Sequence, residues 1–226
     1  AYAIIGLSGN FFPAFLFAFA ETEISSSMTG VLSSLTPLFT LLLGLVFYKL
    51  PFSWRKIIAV LIGLTGAMLL ILYGNGANFE GNKWYALLVV AATIMYAYSS
   101  NTVKEHLNDV DPLDMSIASF VMIGLPALVY LFSTDFVNRL HRHEAAWSSL
   151  GYIFILAVLG TVIASLLFYR LVQLTTAVTA SMVSYLVPMV ALMWGFADGE
   201  VISIFHFLGM LLILLGIYIS RKGNSS

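Results

Sequence analysis

Cysteine is absent from this 226-residue sequence, and charged residues make up only 9% of it. Without cysteine the chain has no disulfide framework, no thiolate nucleophile and no metal or iron–sulfur site built on sulfur ligands. Ten basic and eleven acidic side chains nearly cancel to a net charge of -1, so no basic face is available to attract nucleic acid or an anionic lipid surface. Hydrophobic residues make up 60% of the chain, which leaves too little polar surface for a water-soluble globule. The composition predicts an integral membrane protein.

Apolar stretches recur along the chain at the length that crosses a bilayer core, roughly 20 residues for about 30 Å. Eight can be separated by charged or turn-forming residues, and they cover 1–20, 26–48, 57–73, 84–103, 115–134, 145–169, 175–197 and 201–220. The sixth and seventh are nearly continuous, and we expect the polar residues Arg170, Gln173, Thr175 and Thr176 to form a tight turn between them. The sequence therefore predicts an all-α membrane protein with eight transmembrane helices.

The basic residues indicate an orientation, because cytoplasmic loops carry an excess of Lys and Arg. An even number of spans places both termini on the same side. If that side is the cytoplasm, seven of the ten basic residues lie inside, namely Lys49, Arg55, Lys56, Lys104, Arg170, Arg221 and Lys222. We therefore expect both ends of this chain to be cytoplasmic.

An internal repeat aligns positions 4–44 with 155–195 at an offset of 151 residues, with nine identities in 41 positions and no gap. Gly9 pairs with Gly160, and the mid-membrane prolines Pro37 and Pro188 pair with each other. The offset spans five predicted helices, an odd number, so the two copies cross the membrane in opposite directions. Inverted repeats of this kind are typical of secondary transporters.

The same offset sets the expected domain organisation. Ala1 pairs with Tyr152, whereas the second copy begins near Trp84, so a complete first copy needs two further helices before Ala1. We expect the eight helices to come from a ten-helix fold of two inverted five-helix repeats. Residues 1–73 would be the remainder of the first repeat, 74–83 the loop between repeats, 84–221 the second repeat and 222–226 a cytoplasmic tail.

A family resemblance is carried by the stretch 21–27, by Leu35-Thr36-Pro37-Leu38-Phe39 with Gly44, and by the echo of these residues from Leu174 through Pro188 to Gly195. Over essentially its whole length the chain resembles the EamA family of the drug/metabolite transporter superfamily. The resemblance implies a central cavity, export of small metabolites such as amino acids, and a bacterial inner-membrane location. Family members often carry Gly-Glu after the fourth helix of each repeat. Gly199-Glu200 matches this pattern, whereas Tyr48-Lys49 departs from it.

Each of the two prolines marks a candidate break in a helix. Because proline lacks an N–H, the carbonyl four residues earlier, at Ser33 for Pro37 and at Ser184 for Pro188, has no helical partner. We expect a cavity or a neighbouring helix to satisfy it, so Ser33 and Ser184 are candidate substrate-binding residues. Close helix crossing through small side chains is the alternative interpretation.

Further polar residues lie at membrane depth, where they are costly unless they are paired or hydrated. Asn10 and Thr161 are repeat equivalents, and Thr93, Tyr96 and Ser100 follow helical spacing on the fourth helix. We expect these five to contact a small-molecule substrate in one water-accessible space. Ordinary interhelical hydrogen bonding and helix packing remain as alternatives.

Other classes of protein are weighed against a transporter. Gly6-Leu7-Ser8-Gly9 with His206 suggests an intramembrane serine protease, but the two residues are 198 positions apart and Leu159 occupies the repeat position of Ser8. His141, His143 and Glu144 lack a fourth metal ligand. A non-transporting scaffold or receptor has little need of inverted symmetry. We expect no enzymatic activity, no cofactor and no metal, with the substrate and the lipid bilayer as partners and a homodimer left open.

Overall fold

A computed structural model describes residues 1–24, 26–73, 83–142, 146–190 and 204–222 of the chain. These ranges are almost entirely helical and contain no β-strand, which confirms the all-α prediction. The helices, numbered in chain order, are α1 Tyr2–Ala20, α2 Ser26–Ser33, α3 Thr36–Phe47, α4 Trp54–Tyr73, α5 Lys83–His106, α6 Pro112–Ser133, α7 Phe136–Arg142, α8 Ala146–Leu174, α9 Ala177–Val190 and α10 Ile204–Lys222.

Within the described ranges, four helices are long and apolar enough to cross a membrane: α1, α5, α6 and α8. Helices α3, α9 and α10 are shorter but also apolar. Side chains of α6 and α8 are widely exposed, among them Leu125, Val129, Phe154 and Leu156. Apolar side chains on the outside of a helical bundle suit contact with lipid, so the protein is an integral membrane protein. The total of eight spans stays a prediction, and the end of the predicted seventh span, 191–197, lies outside the described residues.

Helix α8 ends later in the sequence than predicted. Arg170 and Gln173 are helical residues of α8, and the break is confined to Thr175 and Thr176. The hydroxyl of Thr175 donates to the Leu171 carbonyl at 2.6 Å, while the Thr176 hydroxyl caps α9 by accepting from the Thr179 N–H at 3.2 Å. The expectation that all four polar residues form the turn was wrong because Arg170 is exposed and needs no break to keep its charge in a polar environment.

Helices α4 and α10 pack together closely through glycine. A methyl group added at Gly66 would lie 2.6 Å from the Gly209 carbonyl oxygen, and one added at Gly216 would lie 2.7 Å from the Ala59 carbonyl oxygen. In lipid the hydrophobic effect does not drive helices together, so close van der Waals packing between their backbones stabilises the contact instead. A buried cluster that includes Tyr185 of α9 and Ile213 of α10 continues from this contact. Close backbone packing therefore holds α4 and α10 together as a pair.

Two helices depart from α-helical geometry at their middles. Leu7–Phe11 in α1 and Ala157–Ile163 in α8 are π-helical. Short π-helical segments are rare and occur often at functional sites. Both segments contain one of the paired glycines, Gly9 and Gly160, and each of these glycines lies against the cavity described next.

Candidate functional site: a cavity between five helices

A cavity of about 570 Å³ lies between α1, α3, α5, α8 and α9. Its volume falls within the range of small-molecule sites, about 300–1,000 Å³. The two π-helical segments contribute Gly9 and Asn10 on one side and Gly160 and Thr161 on the other. Residues that the sequence alignment pairs at an offset of 151 positions, Gly9 with Gly160 and Asn10 with Thr161, therefore line one space.

Five of the seven predicted substrate-binding residues line this cavity. They are Asn10, Tyr96, Ser100, Thr161 and Ser184. Ser33 and Thr93 are not part of the lining. The Ser33 hydroxyl donates to the Thr29 carbonyl at 2.7 Å, and the fully buried Thr93 donates to the Val90 carbonyl at 2.7 Å. In both residues the hydroxyl is used within its own helix.

Asn10 connects α1 to α8 through two hydrogen bonds. Its amide Nδ2 donates to the Tyr169 hydroxyl at 3.3 Å, and its Oδ1 accepts from the Ser165 hydroxyl at 3.4 Å. Both distances are long for their type, and an amide has the capacity for further hydrogen bonds. This arrangement leaves the Asn10 amide able to exchange or add a partner presented by a molecule in the cavity.

The hydroxyl groups of the lining mainly donate to their own helices. Ser100 donates to the Tyr96 carbonyl at 2.8 Å, and Ser181 donates to the Val178 carbonyl at 2.8 Å. A hydroxyl that has used its proton in this way still offers oxygen lone pairs as acceptors. Tyr96 stacks on Phe17 with the ring centroids 6.0 Å apart, which fixes an aromatic face at the cavity. The lining thus combines acceptor oxygens with an ordered aromatic ring.

The carbonyl of Ser33, which Pro37 leaves without a helical partner, is satisfied locally. The Thr36 hydroxyl donates to it at 2.7 Å. The expectation of a cavity or a neighbouring helix as its partner was wrong, because Pro37 lies at the start of α3 after a break at Ser34 and Leu35. A proline at the first turn of a helix costs little since its missing N–H would be unpaired there in any case. Thr36 itself lines the cavity.

The structure adds lining residues that the sequence reasoning missed, in particular Ser99, Ser165 and Tyr169. Ser165 and Tyr169 follow Thr161 at intervals of four, which places all three on one face of a helix. That spacing could have indicated the two residues from the sequence. Comparison of repeat equivalents did not reveal it, because Ser165 pairs with Ala14 and Tyr169 with Ala18. Ser99 is marked by its contact with Gly9, where an added methyl group would lie 2.5 Å from the serine Oγ.

Charged side chains are absent from the described lining of the cavity. The Ser8 hydroxyl donates to the Ile4 carbonyl at 2.6 Å, and neither Ser8 nor His206 contributes to the lining. Among the described residues, no group of three or more potential metal-ligating side chains is found; His143 and Glu144 lie outside those residues. The described lining therefore consists of neutral polar and apolar side chains.

Comparison with known proteins places the chain among membrane transporters. It is 27% identical over 200 residues to an uncharacterized transporter of Archaeoglobus fulgidus, covering 88% of this chain and 69% of that protein. It is 25% identical to the uncharacterized inner membrane transporter YedA of Escherichia coli over 89% of this chain and 64% of YedA. A probable terminal-alkyne amino-acid exporter of Streptantibioticus cattleyicolor is 25% identical over 86% of this chain and 63% of its own length.

One solved crystal structure has the same fold as this chain, with a TM-score of 0.71 and 16% sequence identity. The match covers 100% of this chain and 77% of the chain in that structure. The chain thus spans about two thirds of the length of the curated relatives described above. Residues 1–72 and 83–221 match the EamA-like transporter family. These residues make up most of the sequence, and the chain therefore belongs to the EamA-like transporter family.

Proposed function

We propose that this protein transports small metabolites across a bacterial inner membrane by alternating access through the cavity between α1, α3, α5, α8 and α9. The observation that carries the proposal is a cavity of about 570 Å³ inside a bundle of apolar helices, with hydroxyl and amide groups in its mainly apolar lining. Polar side chains at membrane depth are costly and mark pathways for substrates or ions. Asn10, Tyr96, Ser100, Thr161 and Ser184, joined by Ser165 and Tyr169, are the proposed substrate contacts.

Irregular helix geometry supports two inverted repeats as the framework of transport. The π-helical segment Leu7–Phe11 maps by the offset of 151 residues onto 158–162, inside the π-helical segment Ala157–Ile163. The break at 34–35 maps onto 185–186, where the 3₁₀ segment Met182–Tyr185 ends. Helix α4 maps onto α10, and the two helices pack against each other. We therefore propose residues 1–73 and 84–221 as the two repeat units.

Contacts between helix ends support the proposed grouping of loops on one side of the membrane. The Tyr48 hydroxyl lies 2.8 Å from the Thr102 hydroxyl, and the Thr179 hydroxyl lies 2.8 Å from the Ser220 hydroxyl. Both pairs join segments that the distribution of basic residues assigns to the cytoplasmic side. The first pair agrees with Lys49 and Lys104 lying at one face of the membrane, and the second with Lys222 lying at the same face as the turn before α9.

The cavity favours substrates without net charge, because a lone carboxylate or ammonium would find no opposite charge in the described lining. Amino acids, whose two charges cancel, fit this condition, and one relative is named as a probable amino-acid exporter. We propose export of small metabolites of this kind. A homodimer stays a prediction.

Transport can be tested with a plug in the cavity. Ala164 lines the cavity, whereas Leu159, on the same helix, is exposed at 58%. Ala164→Trp should abolish substrate counterflow in proteoliposomes loaded with amino-acid mixtures, because the indole fills the space that the substrate needs. Leu159→Trp should leave counterflow unchanged, since its side chain faces outward. Two outcomes would contradict the proposed function and favour a scaffold or receptor. One is equal counterflow by the two variants, and the other is counterflow by the parent protein that does not exceed that of liposomes without protein.

A further inference from the structure

The C-terminal end of α8 is tied to the end of α5 and to the turn that follows it. Lys104 of α5 donates from Nζ to the Gln173 carbonyl at 2.8 Å. In return, Gln173 of α8 donates from Nε2 to the Leu107 carbonyl at 3.1 Å and to the Val110 carbonyl at 2.6 Å. The last carbonyls of a helix have no partner within that helix, so Lys104 satisfies one such carbonyl of α8, while Gln173 binds two carbonyls of the turn that follows α5. A lysine ammonium at a helix C-terminus is also favoured by the helix dipole.

This reciprocal contact lies directly beyond the cavity. Ser100 and Leu171 line the cavity on α5 and α8. Lys104 follows Ser100 by one helical turn, about 6 Å along the axis, and Gln173 follows Leu171 by two residues. The same two helices therefore line the cavity and are tied together at one end of it, the end that the distribution of basic residues assigns to the cytoplasm.

The equivalent position at the other end of the molecule is used differently. Gln173 corresponds in the repeat to Thr22, at the C-terminal end of α1. The Thr22 hydroxyl donates to the Phe19 carbonyl of its own helix at 2.7 Å. Gln173 thus bonds to a neighbouring segment, whereas its repeat equivalent Thr22 bonds within its own helix.

We propose that Lys104 and Gln173 form a latch that holds the cavity closed toward the cytoplasm and must open for substrate to enter from that side. The inference rests on the proposed transport function. The latch consists of three hydrogen bonds, each from a side chain to a backbone carbonyl, so water can replace each of them when α5 and α8 separate. Lys104 and Gln173 act on the cavity through helix position and do not contact the substrate.

Side-specific accessibility of the cavity tests the latch. The chain has no native cysteine, so Ala164→Cys provides a single reporter in the cavity lining. A membrane-impermeant maleimide is applied to right-side-out and to inside-out vesicles. Lys104→Met and Gln173→Leu, each combined with the reporter, should raise the labelling rate from the cytoplasmic face about tenfold and lower it from the outer face, because the population shifts toward the inward-open state.

Two variants act as controls. Arg170→Met removes a cation from the exposed face of the same helix end and should label like the parent protein. Lys104→Arg keeps a donor at position 104 and should restore the parent asymmetry. Unchanged cytoplasmic labelling in both latch variants, in protein that elutes and melts like the parent, would overturn the latch. So would an equal rise from both faces, which indicates general loosening. If the parent protein shows substrate counterflow but the latch variants label at the parent rate, the latch alone is refuted. If the parent protein shows no counterflow, the proposed function is refuted.

Discussion

Asn10 is the residue at which the two repeat-related helices, α1 and α8, meet through side-chain hydrogen bonds. Its amide contacts both Tyr169 and Ser165. Leucine has a similar size but offers no hydrogen-bonding group, so Asn10→Leu leaves both hydroxyls without their cross-helix partner. The loss of such a bond costs about 1–3 kcal/mol, and we expect transport efficiency to fall about tenfold if the same groups bind substrate.

The measurement for Asn10→Leu is the initial rate of counterflow at several substrate concentrations. Asn138→Leu is the matched control, since Asn138 is an exposed residue of α7 that donates to Asp135 away from the cavity. An Asn10→Leu protein that transports as well as the Asn138→Leu protein would show that the amide serves helix packing.

Thr36 supplies the hydrogen bond that the break before Pro37 requires. Replacement by valine keeps the shape of the side chain and removes the donor to the Ser33 carbonyl. We expect Thr36→Val to lower the free energy of unfolding by about 1–3 kcal/mol, the cost of a buried acceptor left unpaired. Thr65→Val is the control, because the exposed Thr65 hydroxyl donates to the Leu61 carbonyl within a regular helix. Denaturation in detergent micelles measures both, and equal stability of the two variants would contradict the assignment.

At the scale of helices, the α4–α10 contact depends on the absence of a side chain at Gly66. An added methyl group would meet the Gly209 carbonyl oxygen and, at 2.9 Å, the Ile213 backbone nitrogen. Backbone atoms cannot rotate away as a side-chain tip can, so Gly66→Ala should push the helices apart and destabilise the protein by about 1–3 kcal/mol.

The control for this prediction is Gly124→Ala in α6, where an added methyl group would meet nothing within 4 Å. Alanine has the higher helix propensity, by about 1 kcal/mol, so this variant should be at least as stable as the parent. Thermal melting of the two purified variants makes the comparison. A Gly66→Ala protein that melts no lower than Gly124→Ala would show that α4 and α10 are separated more widely than described.

For the whole molecule, the proposed orientation places Ser53 in the cytoplasm and Asn138 outside. Single cysteines at the two positions should therefore be labelled from opposite faces, since an impermeant maleimide cannot cross the bilayer. Intact cells should label Asn138→Cys, and labelling of Ser53→Cys should need permeabilised cells. Labelling of both from the same face would contradict the odd number of crossings between them and, with it, the predicted topology.

Residue type predicted the helices well because an apolar run of bilayer length leaves few alternatives to a helix. Within the described ranges, most helix ends agree with the predicted spans to within a few residues. The departures are the late end of α8, the break at 34–35 within the predicted span 26–48, and the short helix α7, which no predicted span covers. The candidate site was predicted in part. Asn10 and Thr161 are repeat equivalents and line one cavity, whereas Thr93 shares a helical stripe with Tyr96 and Ser100 yet is turned into the protein.

The sequence by itself determined that the chain lies in a membrane and that it is helical, because both properties follow from composition and from the length of the apolar runs. The tertiary structure decided which polar residues share a space. Whether a hydroxyl such as Thr36 or Ser33 faces the cavity depends on where the helix breaks and how it is rotated, and the contacts that fix rotation come from other helices. The cap between Lys104 and Gln173 joins residues 69 positions apart, and only the packing of α5 against α8 brings them together.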